Sequence, residues 1–254
     1  MSVLVDERGP VTIVTFNRPE ASNALDPATM IGLGDALDTA AADDDVKVVI
    51  LTGAGDRVFC AGLDLRAFAE GGVEISDEVT AGFRRLFRSR YPKPLIAAAN
   101  GTVVAGGFEV LLRCDLVVAA EHIEFGLPEV QRGLVAGAGV TILPRRIPMP
   151  VVLELGLVGS RISAQRALEL GLVNRVVPRG EAVAEALVLA EAIAANGPLA
   201  VRLTKQLAYA QEDDVSPALW TKIDEVTHTV MNSDDAKEGA RAFVEKRSPN
   251  WTGR

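Results

Sequence analysis

Two carboxylates stand beside glycines in this 254-residue chain. Glu109 closes "AGGFE" (105–109), inside an otherwise apolar run, and Glu129 lies in "FGLPEVQRGLVAGAG" (125–139), among Gly126, Gly133, Gly137 and Gly139. Burying a lone carboxylate is costly, so proteins avoid it or shift its pKa. Glycine allows unusual dihedrals and a close approach of backbone to ligand. A third glycine element, "FCAGLDL" (59–65), puts Gly62 before Leu63. Together these read as a pocket floored by peptide N–H groups and flanked by two acids. A pair of backbone N–H groups can hold a thioester oxygen as it becomes an enolate, each donor of this kind contributing roughly 3–4 kcal/mol. Two carboxyls can divide the proton work, one taking a proton from water and the other delivering one to carbon. That division needs at least one raised pKa, which the Val, Leu and Ala around Glu109 favour. Either glutamate alone reads more simply as a solvated surface residue. The constellation carries the reading.

Other chemistries lack their parts. There is no GxxxxGK[ST] and no GxSxG, and "GAGVTI" (137–142) lacks the third glycine of a dinucleotide fingerprint. Histidine occurs only at His122 and His228, with no ligand or triad spacing. Two cysteines, Cys60 and Cys114, suggest neither a disulfide framework nor a zinc site, and point to a reducing cytoplasm. A net charge of -8 argues against nucleic acid as the main partner. No secretory signal and no apolar run of about 18 residues is visible, so no membrane span is expected.

The elements that must position these residues alternate in type. "VTIVTFNRP" (11–19), "VKVVILTGAG" (46–55), "KPLIAAANG" (93–101) and "DLVVAAE" (115–121) read as strands. "DPATMIGLGDALDTAAADD" reads as a helix with Asp26 as its cap and Pro27 in its first turn, and "VTAGFRRLFRSR" (79–90) as another. After about residue 140 the pattern is mostly helical, interrupted by the strand "NRVVP" (174–178). The chain is therefore an α/β protein with a core over 1–190 and a helical region over 191–254. "AEGGVEISDEV" (69–79) reads as a solvated loop.

Six segments in order resemble the crotonase, or enoyl-CoA hydratase/isomerase, superfamily. They are "VTFNRPEASNALD" (14–26), "VVILTGAGDRVFCAGLDL" (48–65), "KPLIAAANGTVVAGGFEVLLRCDLVVAAE" (93–121), "FGLPEVQRGLVAGAG", "LVGSRISAQRALELGLVNRVVP" (157–178) and "DDAKEGARAFVEKRSPNW" (234–251). The resemblance implies a crotonase-like ββα spiral core with a C-terminal helical region that helps build a homotrimer or a hexamer. It implies oxyanion donors at the Leu63 and Gly106 backbone N–H groups. Glu109 would activate and orient water, and Glu129 would exchange the proton at the α-carbon. The reaction would be hydration of a 2-enoyl-CoA, or its reverse. CoA contacts would come from Ser22, Ala24, Ala61, Asp64 and Leu65, with Phe243 and Lys246 reaching a neighbouring subunit's CoA. No metal or cofactor is expected, coenzyme A being part of the substrate. The chain departs from the family pattern at Ala105, where a glycine is frequent, at Val135 and Ala136, where a proline is frequent, and at Val140. These departures point away from a short-chain fatty enoyl group. Carnitinyl-CoA dehydratase-like members share "GGFE…LPEV". The alternatives are an enoyl-CoA isomerase, another crotonase-type chemistry, or a non-catalytic acyl-CoA-binding protein.

Overall fold

The structure, a computed structural model, describes residues 1–69, 81–209 and 217–252. The strands are β1 (Val3–Arg8), β2 (Val11–Phe16), β3 (Val48–Gly53), β4 (Val58–Cys60), β5 (Leu95–Ala99), β6 (Thr102–Val104), β7 (Leu116–Ala120), β8 (Glu124–Gly126), β9 (Arg161–Ser163) and β10 (Arg175–Val177). The first helices are α1 (Pro27–Ala42), α2 (Leu65–Ala69), α3 (Ala81–Arg88), α4 (Gly106–Leu111), α5 (Gly137–Ile142) and α6 (Met149–Leu153). They are followed by α7 (Ala164–Glu169), α8 (Ala182–Ala194), α9 (Pro198–Tyr209), α10 (Pro217–Met231) and α11 (Asp234–Glu245).

Successive strands alternate between two sheets. One has the order β1-β2-β3-β5-β7-β10 and the other β4-β6-β8-β9. Each turn of the chain gives one strand to each sheet and then a helical segment: β3 and β4, β5 and β6, β7 and β8. Stacked in parallel, these turns form the expected ββα spiral. Among the described residues only the hairpin β1–β2 and the pair β8–β9 are antiparallel. Parallel strands covered on both faces read as continuous apolar runs, and "VVILTG" of β3 and "LIAAA" of β5 are buried throughout. One face of the larger sheet packs against Ala182, Ala186 and Ala190 of α8. The other joins the main core with Leu33 and Leu37 of α1 and Phe108 and Leu111 of α4.

The helix read in the segment 26–44 spans Pro27–Ala42 and begins as its sequence dictates, with the Asp26 carboxylate accepting from the Thr29 N–H at 2.7 Å and Pro27 in the first turn. The helix read at 79–90 is described over 81–88, and all of the loop 69–79 except Ala69 lies outside the described residues. The boundary expected at 190 falls inside α8, which is committed to the sheet. Four three-residue strands, β4, β6, β8 and β9, carry the second sheet, and segments that short have no periodicity to betray them. Among the described residues no single helix is long and apolar enough to cross a membrane; α8 and α9, bent by 108°, come nearest as a pair.

Helix α9 is tied to the core through charge. Lys205 Nζ donates to Asp115 Oδ2 and to the Lys93 carbonyl, both at 2.7 Å, and the two charged side chains are largely buried. Asp115 Oδ2 also accepts from the Leu95 N–H at 2.7 Å, while Oδ1 is buried without a partner. Removing one member of such a pair leaves an uncompensated buried charge. Lys205→Met therefore lowers the free energy of unfolding by about 3 kcal/mol. Urea denaturation checks this, and a loss below about 1 kcal/mol, the range of an exposed pair, would show that the anchor is not electrostatic.

Candidate active site

The candidate residues gather at one end of the smaller sheet. Leu63 follows β4, Gly106 and Glu109 follow β6, and Glu129 follows β8, and these three strands are adjacent and parallel. Each turn of the spiral thus contributes one part of the site at the carboxyl end of its strand, the usual place for a ligand in a parallel sheet.

Gly62 has φ +81°, and a Cβ there would lie 2.6 Å from the Gly106 nitrogen, so only glycine fits. The loop is held by Leu25, which donates to the Gly62 carbonyl at 2.7 Å and accepts from the Asp64 N–H at 3.1 Å. Between these bonds the Leu63 N–H has no acceptor among the described residues. Gly106 opens α4, so its N–H is one the helix itself leaves without an acceptor. The two free amides are neighbours: a Cβ at Gly106 would sit 3.8 Å from the Leu63 nitrogen. Ala105, just before α4, is held at φ 52° and ψ -134°, a region that glycine adopts far more readily. Its N–H donates to the Gly126 carbonyl at 3.0 Å, and its own carbonyl accepts from the Phe108 and Glu109 N–H groups. Gly107 lets α4 lie directly on the Cys60 backbone.

The Glu109 Oε1 accepts from the Gly139 N–H at 2.8 Å. Burial pushes its carboxyl above the ordinary range, while the Gly139 and Ala138 N–H groups pull it back. A Cβ at Gly139 would press on the Leu127 side chain at 2.9 Å, so glycine keeps this backbone close to Leu127. Glu129, 9% exposed, begins a 3-10 turn ending at Arg132. Burial, and then the Glu109 charge, push its carboxyl up to about 8. Its Oε2 is buried with no hydrogen-bond partner. A buried polar atom left open in this way calls for a reason, and the two glutamates titrate as a pair.

Both glutamates, Leu63 and Gly106 line one cavity of about 950 Å³. So do Ser22, Ala24, Ala61, Asp64, Leu65 and Phe243. Phe243 faces its own chain's cavity, whereas the sequence reading sent it to a neighbour's CoA. The reason is that α10 and α11 fold back over α5, α2 and the Glu129 turn. Lys246 stands apart: it ends α11 in a left-handed conformation and lines a separate hollow with Arg132 and Arg247. Of the departures from the family pattern, Val135 lines the cavity, Ala136 is buried in the core, and Val140 packs at Gly156.

Sequence reasoning missed the cavity's roof. Trp220, Ile223, Thr227 and Met231 of α10 face it, opposite Phe83 and Phe87 of α3. The spacing of the α10 residues marks one helix face, but nothing local says what that face covers. Asp224 ties the two helices together, holding Arg88 at 2.8 Å and Arg84 at 3.6 Å. Arg18 was also missed; its guanidinium joins the Ala24 carbonyl at 2.9 Å to Asp64 at 3.0 Å, shaping the turn at Ser22. His122 and His228 are exposed and outside the cavity. Cys60 and Cys114 are buried, and burial raises both thiols, Cys60 to about 12, which leaves them unreactive.

The pattern of the family described as enoyl-CoA hydratase/isomerase matches residues 6–254. A carnitinyl-CoA dehydratase of Proteus mirabilis is 39% identical over 260 residues, covering 100% of this chain and 99% of its own. Among solved structures, a carnitinyl-CoA hydratase from Mycobacterium avium superposes with a TM-score of 0.91 at 43% identity, covering 100% of this chain and 99% of that one. An enoyl-CoA hydratase from Mycobacterium tuberculosis does so with a TM-score of 0.78 at 46% identity and the same coverage. With its ββα spiral and a match over nearly its whole length, this chain belongs to the enoyl-CoA hydratase/isomerase family.

Proposed function

We propose that this protein is a hydro-lyase that adds water across the 2,3 double bond of a 2-enoyl-CoA thioester, or removes it from the 3-hydroxyacyl-CoA. The carrying observation is the pair Glu109 and Glu129 in one cavity beside two free backbone donors, with Glu129 Oε2 buried and unpartnered. The names of the relatives, hydratases and dehydratases of CoA thioesters, support the same reading.

The thioester oxygen accepts from the Leu63 and Gly106 N–H groups, which are in place before the reaction and need no reorganisation as negative charge develops. Glu109, steadied through Oε1 by Gly139, takes a proton from water. The hydroxide adds to the β-carbon, and the double-bond electrons move onto the thioester oxygen as an enolate. The enolate then collapses, and its α-carbon takes a proton from Glu129. With its carboxyl raised to about 8, Glu129 is protonated at neutral pH and suited to this donation. Exchange with solvent returns each acid to its starting state, and dehydration runs the same steps backward. The proton and charge work falls to glutamates and amides, so this chemistry calls on no metal or cofactor.

Two acids facing one cavity favour hydration over isomerisation, which adds no water and needs only one. The CoA moiety lies along Ser22, Ala24, Ala61, Asp64 and Leu65, with Phe243 closing over it. The protein acts as a homotrimer or a hexamer. Exposed stripes at Leu199, Leu203 and Leu207 of α9, and at Met149, Leu153 and Leu157, support association of copies. It works in the cytoplasm, in keeping with two unpaired thiols.

Crotonyl-CoA and carnitinyl-CoA test the function together. Loss or gain of conjugated-thioester absorbance with a mass change of one water is the expected result; binding of both without turnover would refute it. Glu109→Gln and Glu129→Gln each lower kcat by about 100-fold or more while CoA-thioester binding persists. A variant that keeps the parental rate removes that glutamate from the mechanism.

Stability carries a separate signature of Glu129. Its folded carboxyl titrates at about 8 against 4.5 for the ordinary group, so the native state holds a proton that the unfolded chain has released. Stability contributed by this group is complete below the lower value and declines as pH rises through the upper one. Glu129→Gln therefore leaves the unfolding temperature near parental at pH 5 and raises it above the parent at pH 9. A gain independent of pH would show that the carboxyl is not perturbed.

A further inference from the structure

The Glu129 Oε2 has no hydrogen-bond partner, and the carboxylate is held by the backbone N–H of Glu129 itself, so its position is set by the backbone of its own turn. That turn is gripped on two sides. On one, Gln131 Nε2 donates to the Val158 and Gly159 carbonyls, both at 3.1 Å. On the other, α11 meets it backbone to backbone. A Cβ at Gly239 would run into the Arg132 carbonyl, and a Cβ at Gly133 would lie 2.5 Å from the Asp235 carbonyl oxygen and 3.0 Å from the Trp251 ring. At both places the nearest contact is backbone, which cannot yield as a side chain would.

Helix α11 is itself locked by the end of the chain. Glu238, 8% exposed, receives Arg247 on both carboxylate oxygens, at 2.5 and 3.0 Å, and the Asn250 N–H at 2.9 Å. Arg241 adds a contact at 3.2 Å. Asp235 Oδ1 accepts from the Thr252 N–H at 2.6 Å and its hydroxyl at 2.9 Å, which lays Trp251 on the turn. A bidentate arginine with a further backbone donor is a strong and directional arrangement. Neither Glu238 nor Gly239 lines the large cavity.

We infer that Gly239, held in place by the Glu238–Arg247 clasp, is a positioning residue for Glu129: the C-terminal segment sets where the proton-transferring carboxyl stands, in addition to roofing the cavity. The inference rests on the hydro-lyase reading above. The consequence for catalysis is direct, because a displacement of about 1 Å in a reacting group costs on the order of 100-fold in rate.

The test is steady-state hydration of crotonyl-CoA by the full chain, its Gly239→Ala and Glu238→Gln variants, with a pH–rate profile and thermal unfolding for each. The expected result for Gly239→Ala is a kcat lower by about 100-fold with KM within about threefold. The high-pH limb moves downward as the displaced carboxyl gains water, with Glu109 on α4 the other carboxyl bearing on it. Glu238→Gln gives a smaller loss in the same sense. If Gly239→Ala does not fold, Glu238→Gln carries the test, being nearly isosteric and outside the large cavity. A rise in KM at constant kcat would make α11 a roof only and overturn the inference. So would a loss that tracks the unfolded fraction with an unmoved pH limb. A parental chain that turns over neither crotonyl-CoA nor carnitinyl-CoA strikes the function instead, and the inference falls with it; where only carnitinyl-CoA is turned over, the same variants are compared on that substrate.

Discussion

The structure turns on keeping two carboxyls together in one cavity, where burial raises both. Burial and mutual repulsion both disfavour a second negative charge, so the pair is most comfortable holding one proton between them. The surroundings divide that proton unequally. Both are raised by burial; Glu109 is pulled back by the Gly139 and Ala138 N–H groups, and Glu129 is raised further by the Glu109 charge and keeps one buried oxygen without a partner. Two groups of the same side-chain chemistry thus sit in different surroundings, which is the condition the proposed division of proton work requires.

The spiral is what makes this arrangement possible. Parallel strands β4, β6 and β8 lie side by side and deliver three separate loops to one place. Most backbone amides find an acceptor, yet Leu63 and Gly106, both partly buried at the cavity wall, each leave one without a backbone partner among the described residues. The turn at Gly62 and the strained Ala105 bring the two backbones close together at the cavity wall. Catalytic sites commonly hold such strain where the surrounding core can sustain it, and here the core beneath is dense with Phe108, Phe125 and Cys60.

Much of this was legible from the chain itself. Buried parallel strands such as β3 and β5 announce themselves as unbroken apolar runs, and α1 declares its start through Asp26 and Pro27. Glu109 and Glu129 stood out because a carboxylate among glycines and aliphatic residues is costly unless it serves a purpose. The smaller sheet was not legible. Its strands are three residues long, and their identity comes only from pairing partners far away in sequence. The roof was half legible: Trp220, Ile223 and Thr227 form one face of α10, but an amphipathic face does not state what it will cover.

The sequence by itself determined the family, the two acids, the backbone donors and the alternation of strands and helices. These are local properties: residue types, spacings and the dihedral freedom of particular glycines. Only the tertiary structure decided that Phe243 returns to its own cavity, that Lys246 stands outside it, and that α11 braces the turn carrying Glu129. Those outcomes depend on where a helix late in the chain docks on an early one. That docking is settled by close contacts, Gly239 on Arg132 and Gly133 on Asp235, between segments about a hundred residues apart. No window of the sequence contains both sides of such a contact.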